Sequence, residues 1–115
     1  MEYTIVTGAS GYFGNTVARV LAEKGKNLIL ISRRGSQDIV NSYPNVDVVD
    51  MRVDLGDVRN SYDVAIKIQE NYDVSGIIYC SGGMERGGDW LDTLEHNLNY
   101  NVKSYLSFVK VFIDK

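Results

Sequence analysis

The sequence predicts a doubly wound α/β fold, in which helices cover a parallel sheet. Short apolar runs of strand type alternate along the 115 residues with longer stretches of helical periodicity, as in consecutive βαβ units. The run Leu28–Ile31 is apolar without a break, which is typical of a strand covered on both faces. A glycine-rich turn, Gly8–Gly14, lies between the first strand and the first helix.

Four strands are predicted, over Tyr3–Thr7, Leu28–Ile31, Val46–Val53 and Gly76–Cys80. Because crossovers between parallel strands are right-handed, the expected spatial order is 3-2-1-4. This order leaves Ile77-Ile78-Tyr79 at an open edge, and an apolar edge strand invites pairing with another chain. We therefore expect a homo-oligomer or a further half of the fold, and we interpret residues 1–115 as one truncated domain.

Helical patterns follow each strand. The first carries Phe13, Val17, Val20 and Leu21 at helical spacing, and Gly25 is predicted to end it. A short helix is predicted around Ser36–Ser42, and a longer one over Asp57–Tyr72 with Val58, Tyr62, Ala65 and Ile66 on one face. A glycine-rich loop, Ser81–Asp89, precedes a long amphipathic helix over Leu91–Ile113. The predicted apolar stripe of that helix consists of Leu91, Leu94, Leu98, Val102, Tyr105, Leu106, Val109 and Ile113.

Composition narrows the function classes. The net charge of −3 argues against non-specific binding to nucleic acid, which needs a cationic surface. The single cysteine fits a reducing cytosol, and neither a basic leader nor a membrane-length apolar run is visible. The single histidine, His96, has no ligand cluster around it in the sequence, so no metal site is expected. These features predict a cytoplasmic protein that binds neither nucleic acid nor a membrane.

The glycine turn has the features of a dinucleotide-binding site. Gly8, Gly11 and Gly14 follow a strand and open a helix inside a βαβ unit, which is the context that gives such a motif weight. Glycine lets the chain turn sharply, lets the backbone approach a pyrophosphate and lets the helix pack closely on the sheet. The helix N-terminus offers N–H groups to the phosphates. The alternative interpretation is a turn that only connects strand and helix.

The end of the second strand favours NADP(H) over NAD(H). An NAD site places an acidic residue here to bind the ribose 2′-hydroxyl, but the segment reads Ile31-Ser32-Arg33-Arg34. Guanidinium groups bind phosphate well and often through two hydrogen bonds. We therefore predict that Ser32 and Arg33 contact the 2′-phosphate and that Arg34 is a further cofactor contact that can stack on adenine. The alternative is an ordinary solvated basic turn.

The string Thr7-Gly8-Ala9-Ser10-Gly11-Tyr12-Phe13-Gly14 resembles the nucleotide-binding signature of the short-chain dehydrogenases/reductases. Its Gly-x-x-Gly-x-x-Gly spacing is similar to the extended branch of that family, which includes sugar-nucleotide epimerases, whereas the remaining motifs are more similar to its other main branch. The resemblance covers essentially all 115 residues but only the cofactor-binding half of the family's domain. It implies a Rossmann-type NAD(P)-binding domain that ends before the catalytic Tyr and Lys.

The resemblance implies further cofactor contacts. Asp54, with the backbone of Leu55, matches the position that binds the adenine edge, although a turn aspartate would look the same and Asp57 is the better helix cap. The segment Tyr79–Gly83 aligns with the family's Asn-Asn-Ala-Gly, of which only the glycine is kept. Cys80 is expected as a small buried residue and not as a nucleophile. The complete set of predicted cofactor-binding residues is Gly8, Ser10, Gly11, Tyr12, Phe13, Gly14, Ser32, Arg33, Arg34, Asp54, Leu55, Cys80, Ser81 and Gly82.

One catalytic residue is implied by the resemblance. Asn101, on or beside the predicted apolar stripe, matches the asparagine of the family's catalytic tetrad, which helps to organise a proton relay. Asn97, one turn earlier, and a merely solvated Asn101 are the alternatives. The tetrad's Ser, Tyr and Lys lie further along the chain in the family, and none of the eight tyrosines here has a lysine four residues later.

Three functions remain open at this point. The first is an NADP(H)-dependent oxidoreductase that moves hydride between the cofactor and a carbonyl or alcohol, with this chain as its cofactor-binding half, inactive alone. The second is a binding or regulatory module that holds a dinucleotide without turnover. The third is an NAD-dependent sugar-nucleotide epimerase or dehydratase, suggested by the glycine spacing, although Arg33 and Arg34 argue against NAD.

Overall fold

The computed structural model describes residues 1–81 and 89–113. The strands are β1 (Glu2–Thr7), β2 (Asn27–Ser32), β3 (Val48–Arg52) and β4 (Asp73–Tyr79). The helices are α1 (Tyr12–Glu23), α2 (Gln37–Ser42), α3 (Val58–Asn71), α4 (Trp90–Leu98) and α5 (Ser104–Phe112), with a π-helical segment (Asn99–Lys103) between α4 and α5. The chain divides into two compact units. The first unit consists of Met1–Val53 and Tyr72–Cys80, and the second unit consists of Asp54–Asn71 and Ser81–Lys115.

The first unit contains the sheet, and its topology confirms the predicted fold class. The order is β3-β2-β1-β4 and every neighbouring pair is parallel. In register, Val6 pairs with Leu30 on one side and with Ile78 on the other. Among the described residues β4 is an edge strand, as expected, and none of its residues is fully buried. The partner expected along this edge stays a prediction.

The core of the first unit forms where β1 and β2 meet α1 and α2. The run Leu28–Ile31 is completely buried, as predicted for a strand covered on both faces. One face contributes Val6, Leu28 and Leu30 to a cluster that Ile39 of α2 completes. Burial of such side chains is the main stabilising contribution, about 1.5–3 kcal/mol for each large aliphatic residue.

Helix α1 packs through its smallest residues, which differs from the predicted face. Gly14, Ala18 and Ala22 are buried at four-residue spacing. Phe13 and Val20, which we expected on the buried stripe, are 68% and 45% exposed. The reason is close approach, because small side chains let a helix lie near the sheet. The predicted end is confirmed: Gly25 follows the last turn with φ of +80°, a conformation that favours glycine.

A polar contact lies at the amino end of β1. The hydroxyl of Tyr3 donates to the carboxylate of Asp47, and its ring meets the ring of Tyr72 edge-on, with centroids 5.1 Å apart. The hydrogen bond to Asp47, helped by burial and by the negative charge, raises the pKa of Tyr3 to about 12. This contact ties Asp47, which lies just before β3, to the start of the chain.

The second unit is built on α3 and α5. The N-cap of α3 is Asp57, as predicted, because its Oδ1 accepts hydrogen bonds from the N–H groups of Arg59 (2.9 Å) and Asn60 (3.2 Å). The buried face of α3 consists of Ser61, Val64, Ala65 and Ile68. The predicted face was wrong in part, because Tyr62 is exposed. On α5 the buried residues are Ser104, Ser107 and Phe108.

The predicted apolar stripe of the last helix is not its buried face. Seven of its eight members are exposed by 43–69%, namely Leu91, Leu94, Leu98, Val102, Tyr105, Leu106 and Ile113. The predicted single helix also contains the π-helical segment, which shifts the residues after it around the helix axis. Hydrophobic periodicity identifies the most apolar stripe of a helix. In α5 the buried face is instead the one that carries the small residues Ser104 and Ser107. No helix of the described residues is both long enough and apolar enough to cross a membrane.

Candidate functional site

The glycine turn between β1 and α1 is held by backbone contacts that leave no room for a Cβ at Gly14. Gly8 has a φ of +67° and its carbonyl accepts the N–H of Gly11 at 3.0 Å. A Cβ on Gly14 would lie 2.1 Å from the Gly8 oxygen and 2.7 Å from the Gly8 carbonyl carbon. At Gly11 a Cβ would lie 3.3 Å from the same oxygen. Glycine at position 14 is therefore a steric requirement of the turn.

The N-terminus of α1 is open to a ligand. Its N-cap is Gly11, which makes no side-chain capping bond, and its first turn has no acidic residue. The first N–H groups of a helix have no partner within the helix, and they carry the positive end of its dipole. Ser10, Gly11, Tyr12 and Phe13 are exposed around them. The turn therefore has the polarity of a phosphate-binding helix N-terminus, and the absence of a Cβ at Gly14 lets the start of α1 lie against Gly8.

The carboxyl end of β2 carries the two predicted arginines on a closed turn. The Oγ of Ser32 accepts the N–H of Gly35 at 2.9 Å, and Gly35 has a φ of +86°. Arg33 and Arg34, between them, are exposed. Ser32 itself is only 5% exposed, and its hydroxyl oxygen accepts the hydrogen bond that closes the turn. The structure thus presents two cations on this turn, while a direct phosphate contact from Ser32 stays a prediction.

A polar network fixes α2, which follows this turn. Arg19 on α1 forms a salt bridge to Asp38 on α2 at 2.8 Å, and Asn15 donates to the same carboxylate oxygen at 3.2 Å. Burial acts to raise the pKa of Asp38, but the hydrogen bonds from Asn15 and Arg19 outweigh it, so the pKa is lowered. The predicted short helix is thereby held against α1 by side chains at its start.

The adenine contact expected at Asp54 lies in the second unit. Asp54 is exposed, and its Oδ1 accepts the N–H of Gly56 at 2.9 Å. Leu55 is buried, and its carbonyl accepts the hydroxyl of Ser61. A shallow, open cleft of about 440 Å³ lies beside them. Its lining residues are Asp54, Gly56, Asp57, Val58, Arg59 and Asn99.

Cys80 follows β4 and is partly buried. Its N–H donates to the buried Thr7 Oγ1 at 3.0 Å, which connects the ends of β4 and β1. Burial raises the pKa of its thiol, which disfavours the thiolate that a nucleophile needs. Ser81 is partly buried, while Gly82 lies outside the described residues, as do residues 83–88 of the predicted loop. The described residues contain no cluster of His, Cys, Asp or Glu that could hold a metal ion.

Asn101 lies in the π-helical segment and its side chain is exposed, in contrast to the position beside a buried stripe that we expected. Such segments often mark functional positions in helices. The N–H of Ser104 donates to the carbonyl of Asn99. The Ser104 hydroxyl lies 2.8 Å from that oxygen and also contacts the carbonyl of Leu55. The catalytic role of Asn101 stays a prediction.

Two residues near the cleft were not singled out from the sequence. Asn99 lines the cleft, and Ser104 links the π-helical segment to the turn before α3. The available signal was the pair Ser104 and Ser107, whose small size at helical spacing indicates a closely packed face.

The model of one protein family matches most of the chain. It is the NAD dependent epimerase/dehydratase family, and the match covers residues 4–107. None of the curated proteins matches the chain.

Solved structures with the same fold include several dehydrogenases. A bulky-bulky ketone specific alcohol dehydrogenase from Comamonas testosteroni superposes with a TM-score of 0.82 at 18% identity, over 96% of this chain and 48% of that one. A short-chain dehydrogenase from Sphingobium yanoikuyae, solved with NADPH, superposes with a TM-score of 0.82 at 21% identity, over 96% of this chain and 46% of that one. An alcohol dehydrogenase from Thermococcus sibiricus, solved with 5-hydroxy-NADP, superposes with a TM-score of 0.74 at 22% identity, over 99% of this chain and 52% of that one. The chain therefore spans about half the length of these structures. They confirm the predicted short-chain dehydrogenase/reductase resemblance at the level of the fold.

Proposed function

Because the chain belongs to the NAD dependent epimerase/dehydratase family, we propose that its first unit binds a nicotinamide dinucleotide through the glycine turn. The observation that carries the proposal is the steric fit at Gly14, where a Cβ would collide with the Gly8 carbonyl. In dinucleotide-binding turns the third glycine allows this close packing of the helix on the strand, and Gly14 has that position in the motif. The exposed helix N-terminus, without a capping side chain, supplies the N–H groups and the positive dipole end.

The cofactor in this proposal is NADP(H). Arg33 and Arg34 are exposed where an NAD site would carry an acidic residue. Guanidinium groups suit the doubly charged 2′-phosphate. The NADPH and 5-hydroxy-NADP complexes of two structures with the same fold support this assignment.

The reaction of the whole protein is hydride transfer between the cofactor and a carbonyl or alcohol. The nicotinamide supplies the hydride chemistry, and the residues described above hold and orient it. This chain contains no Tyr-x-x-x-Lys pair, so 115 residues bind the cofactor without turning it over. Asn101 is the residue of the proposed proton relay that this chain provides.

An epimerase or dehydratase that keeps NAD bound is the second candidate function. This candidate is favoured by the family that matches the chain. It is also favoured by the Gly-x-x-Gly-x-x-Gly spacing of Gly8, Gly11 and Gly14. The two candidates differ in cofactor, because a site built for NAD gains nothing from two arginines at the ribose.

Calorimetric titration with NADP⁺ and NAD⁺ in the same buffer tests both candidates. We expect NADP⁺ to bind more tightly, and Arg33→Ala to weaken NADP⁺ by about tenfold with little effect on NAD⁺, the loss typical of one charge-assisted hydrogen bond. Lys26→Ala is the matched control, because it removes the same charge from an exposed residue before the amino end of β2. A preference for NAD⁺ would support the second candidate. No binding of either dinucleotide by the folded chain would refute the proposal.

A further inference from the structure

Arg52 is a third arginine at the carboxyl edge of the sheet. It is the last residue of β3 and pairs in register with Ser32, the last residue of β2. Its side chain is exposed and makes no hydrogen bond or ion pair with any other residue in the ranges 1–81 and 89–113. A guanidinium with five donors and no protein partner is available to a ligand.

The guanidinium of Arg52 lies against the turn that carries Arg33 and Arg34. A Cβ built on Gly35 would lie 2.5 Å from Nε of Arg52 and 3.0 Å from its Nη2. The φ of +86° is the reason for glycine at position 35, and a Cβ there would in addition displace the Arg52 guanidinium. The hydrogen bond from the Gly35 N–H to the Ser32 hydroxyl fixes the conformation of this turn.

The acidic residue on the same face does not neutralise this arginine. Asp50 lies two residues before Arg52 on β3, so both side chains project to the same side of the sheet. Oδ1 of Asp50 accepts the N–H of Ser36 at 3.0 Å, and no ion pair joins Asp50 to Arg52. Arg52 therefore keeps an unneutralised positive charge beside the turn that carries Arg33 and Arg34.

We infer that Arg52 is a specificity-determining residue that binds the 2′-phosphate of NADP(H) together with Arg33. The inference rests on the proposed function, because it presupposes a dinucleotide on the glycine turn. It adds a contact from a different strand, one placed by the parallel register of β2 and β3 and by the missing side chain of Gly35. A cofactor with a free 2′-hydroxyl offers Arg52 no charge to bind, so Arg52 raises the affinity for NADP(H) alone.

The test compares Arg52→Ala and Arg52→Lys with the unsubstituted chain by calorimetric titration of NADP⁺, NAD⁺ and adenosine 2′-monophosphate. For Arg52→Ala we expect NADP⁺ and the monophosphate to bind about tenfold more weakly and NAD⁺ to bind within about twofold of the unsubstituted chain. Lys keeps the charge but loses the bidentate geometry, so Arg52→Lys should retain part of the affinity. Lys26→Ala is the control for a general loss of positive charge.

A second pair of variants tests the contact with the glycine. Gly35→Ala adds a Cβ where the guanidinium lies, and Gly25→Ala adds one at a similar φ with no atom within 4 Å. Both variants should lose stability through backbone strain, and urea unfolding measures that loss. Only Gly35→Ala should weaken NADP⁺ relative to NAD⁺.

The outcomes separate this inference from the proposed function. If the unsubstituted chain prefers NADP⁺, Arg33→Ala removes the preference and Arg52→Ala does not, the role of Arg52 is overturned while the proposed function stands. If Arg52→Ala weakens NAD⁺ as much as NADP⁺, Arg52 supports the fold of the turn and is not a specificity residue. If the folded chain binds neither dinucleotide, both proposals are refuted together.

Discussion

Replacing Gly14 by alanine should destabilise the chain, although alanine is the better helix former. The substitution gains about 1 kcal/mol of helix propensity. Against this, the new Cβ would lie 2.1 Å from the Gly8 oxygen, more than an ångström short of the 3.4 Å at which ordinary contact begins. The atoms in conflict are backbone atoms on both sides, so the turn or the helix must move. Overpacking of this kind costs about 1–3 kcal/mol and occasionally more. Because the overlap exceeds an ångström and involves backbone atoms of Gly8, we expect a cost of about 3 kcal/mol and, after the gain in propensity, a net loss of about 2 kcal/mol.

Urea unfolding of Gly14→Ala, followed by circular dichroism, measures this loss, and Gly11→Ala is its matched control. At Gly11 the Cβ would lie 3.3 Å from the same oxygen, and the backbone there has a φ of −81°, which alanine adopts freely. The control should therefore cost about 0.5–1 kcal/mol, the difference between glycine and alanine at an N-cap. The steric argument would be refuted if Gly14→Ala were as stable as Gly11→Ala, or more stable than the unsubstituted chain.

Further predictions concern four buried or partly buried polar groups, those of Ser36, Ser61, Tyr3 and Cys80. Ser36→Ala should raise the free energy of unfolding by about 1 kcal/mol, since the completely buried Ser36 Oγ has no hydrogen-bond partner among the described residues. Ser61→Ala should lower it by a similar amount, because that hydroxyl contacts two backbone carbonyls; the reverse order in urea unfolding would contradict this reasoning. Because the bond to Asp47 raises the pKa of Tyr3 to about 12 from an ordinary 10, its contribution to stability is complete below pH 10 and is lost as pH rises toward 12. Unfolding across this range should therefore be less steeply pH-dependent for Tyr3→Phe, and equal slopes would exclude the role of Tyr3. Burial raises the pKa of Cys80, so iodoacetamide should modify it more slowly than free cysteine at neutral pH, and faster labelling of the folded chain would show an activated thiolate.

The strands were predictable because their signal is local. The run Leu28–Ile31 needs no tertiary information to be read as a doubly covered strand, and the sheet order follows from the handedness of the crossovers. The faces of the helices were less predictable. In α1 the larger residues Phe13 and Val20 face outward while glycine and alanine face inward. A prediction from the apolar pattern expects the largest apolar side chains to be buried. A helix that packs closely on a sheet instead buries its smallest residues.

The last helix shows the same limitation more strongly. Its longest apolar stripe is exposed, and Ser104 and Phe108 lie on the buried face. The π-helical segment changes the angular position of every residue that follows it, and a period of 3.6 residues does not anticipate it. Asn101 was assigned from a resemblance in sequence, and its exposure follows from its place in this segment.

The site was predictable where it depends on neighbours in sequence, and not where it depends on register. The glycine turn and the Arg33–Arg34 turn can each be read from a few consecutive residues. Arg52 was not singled out, although it lies within the predicted third strand, because its contact with Gly35 requires β3 to lie beside β2 in the observed register.

The two parts of the proposed cofactor site should respond differently to substitution, for a physical reason. The glycine turn is held by backbone atoms in van der Waals contact, so a change at Gly14 alters the fold and the binding of any dinucleotide together. The arginine-bearing turn is closed by Ser32 and Gly35, while Arg33, Arg34 and Arg52 are exposed. Exposed charges contribute little to stability, so these arginines can be exchanged at little cost to the fold. Cofactor preference in this chain should therefore be separable from folding, and variants at the arginines should change the ratio of NADP⁺ to NAD⁺ affinity while their unfolding curves superpose on that of the unsubstituted chain.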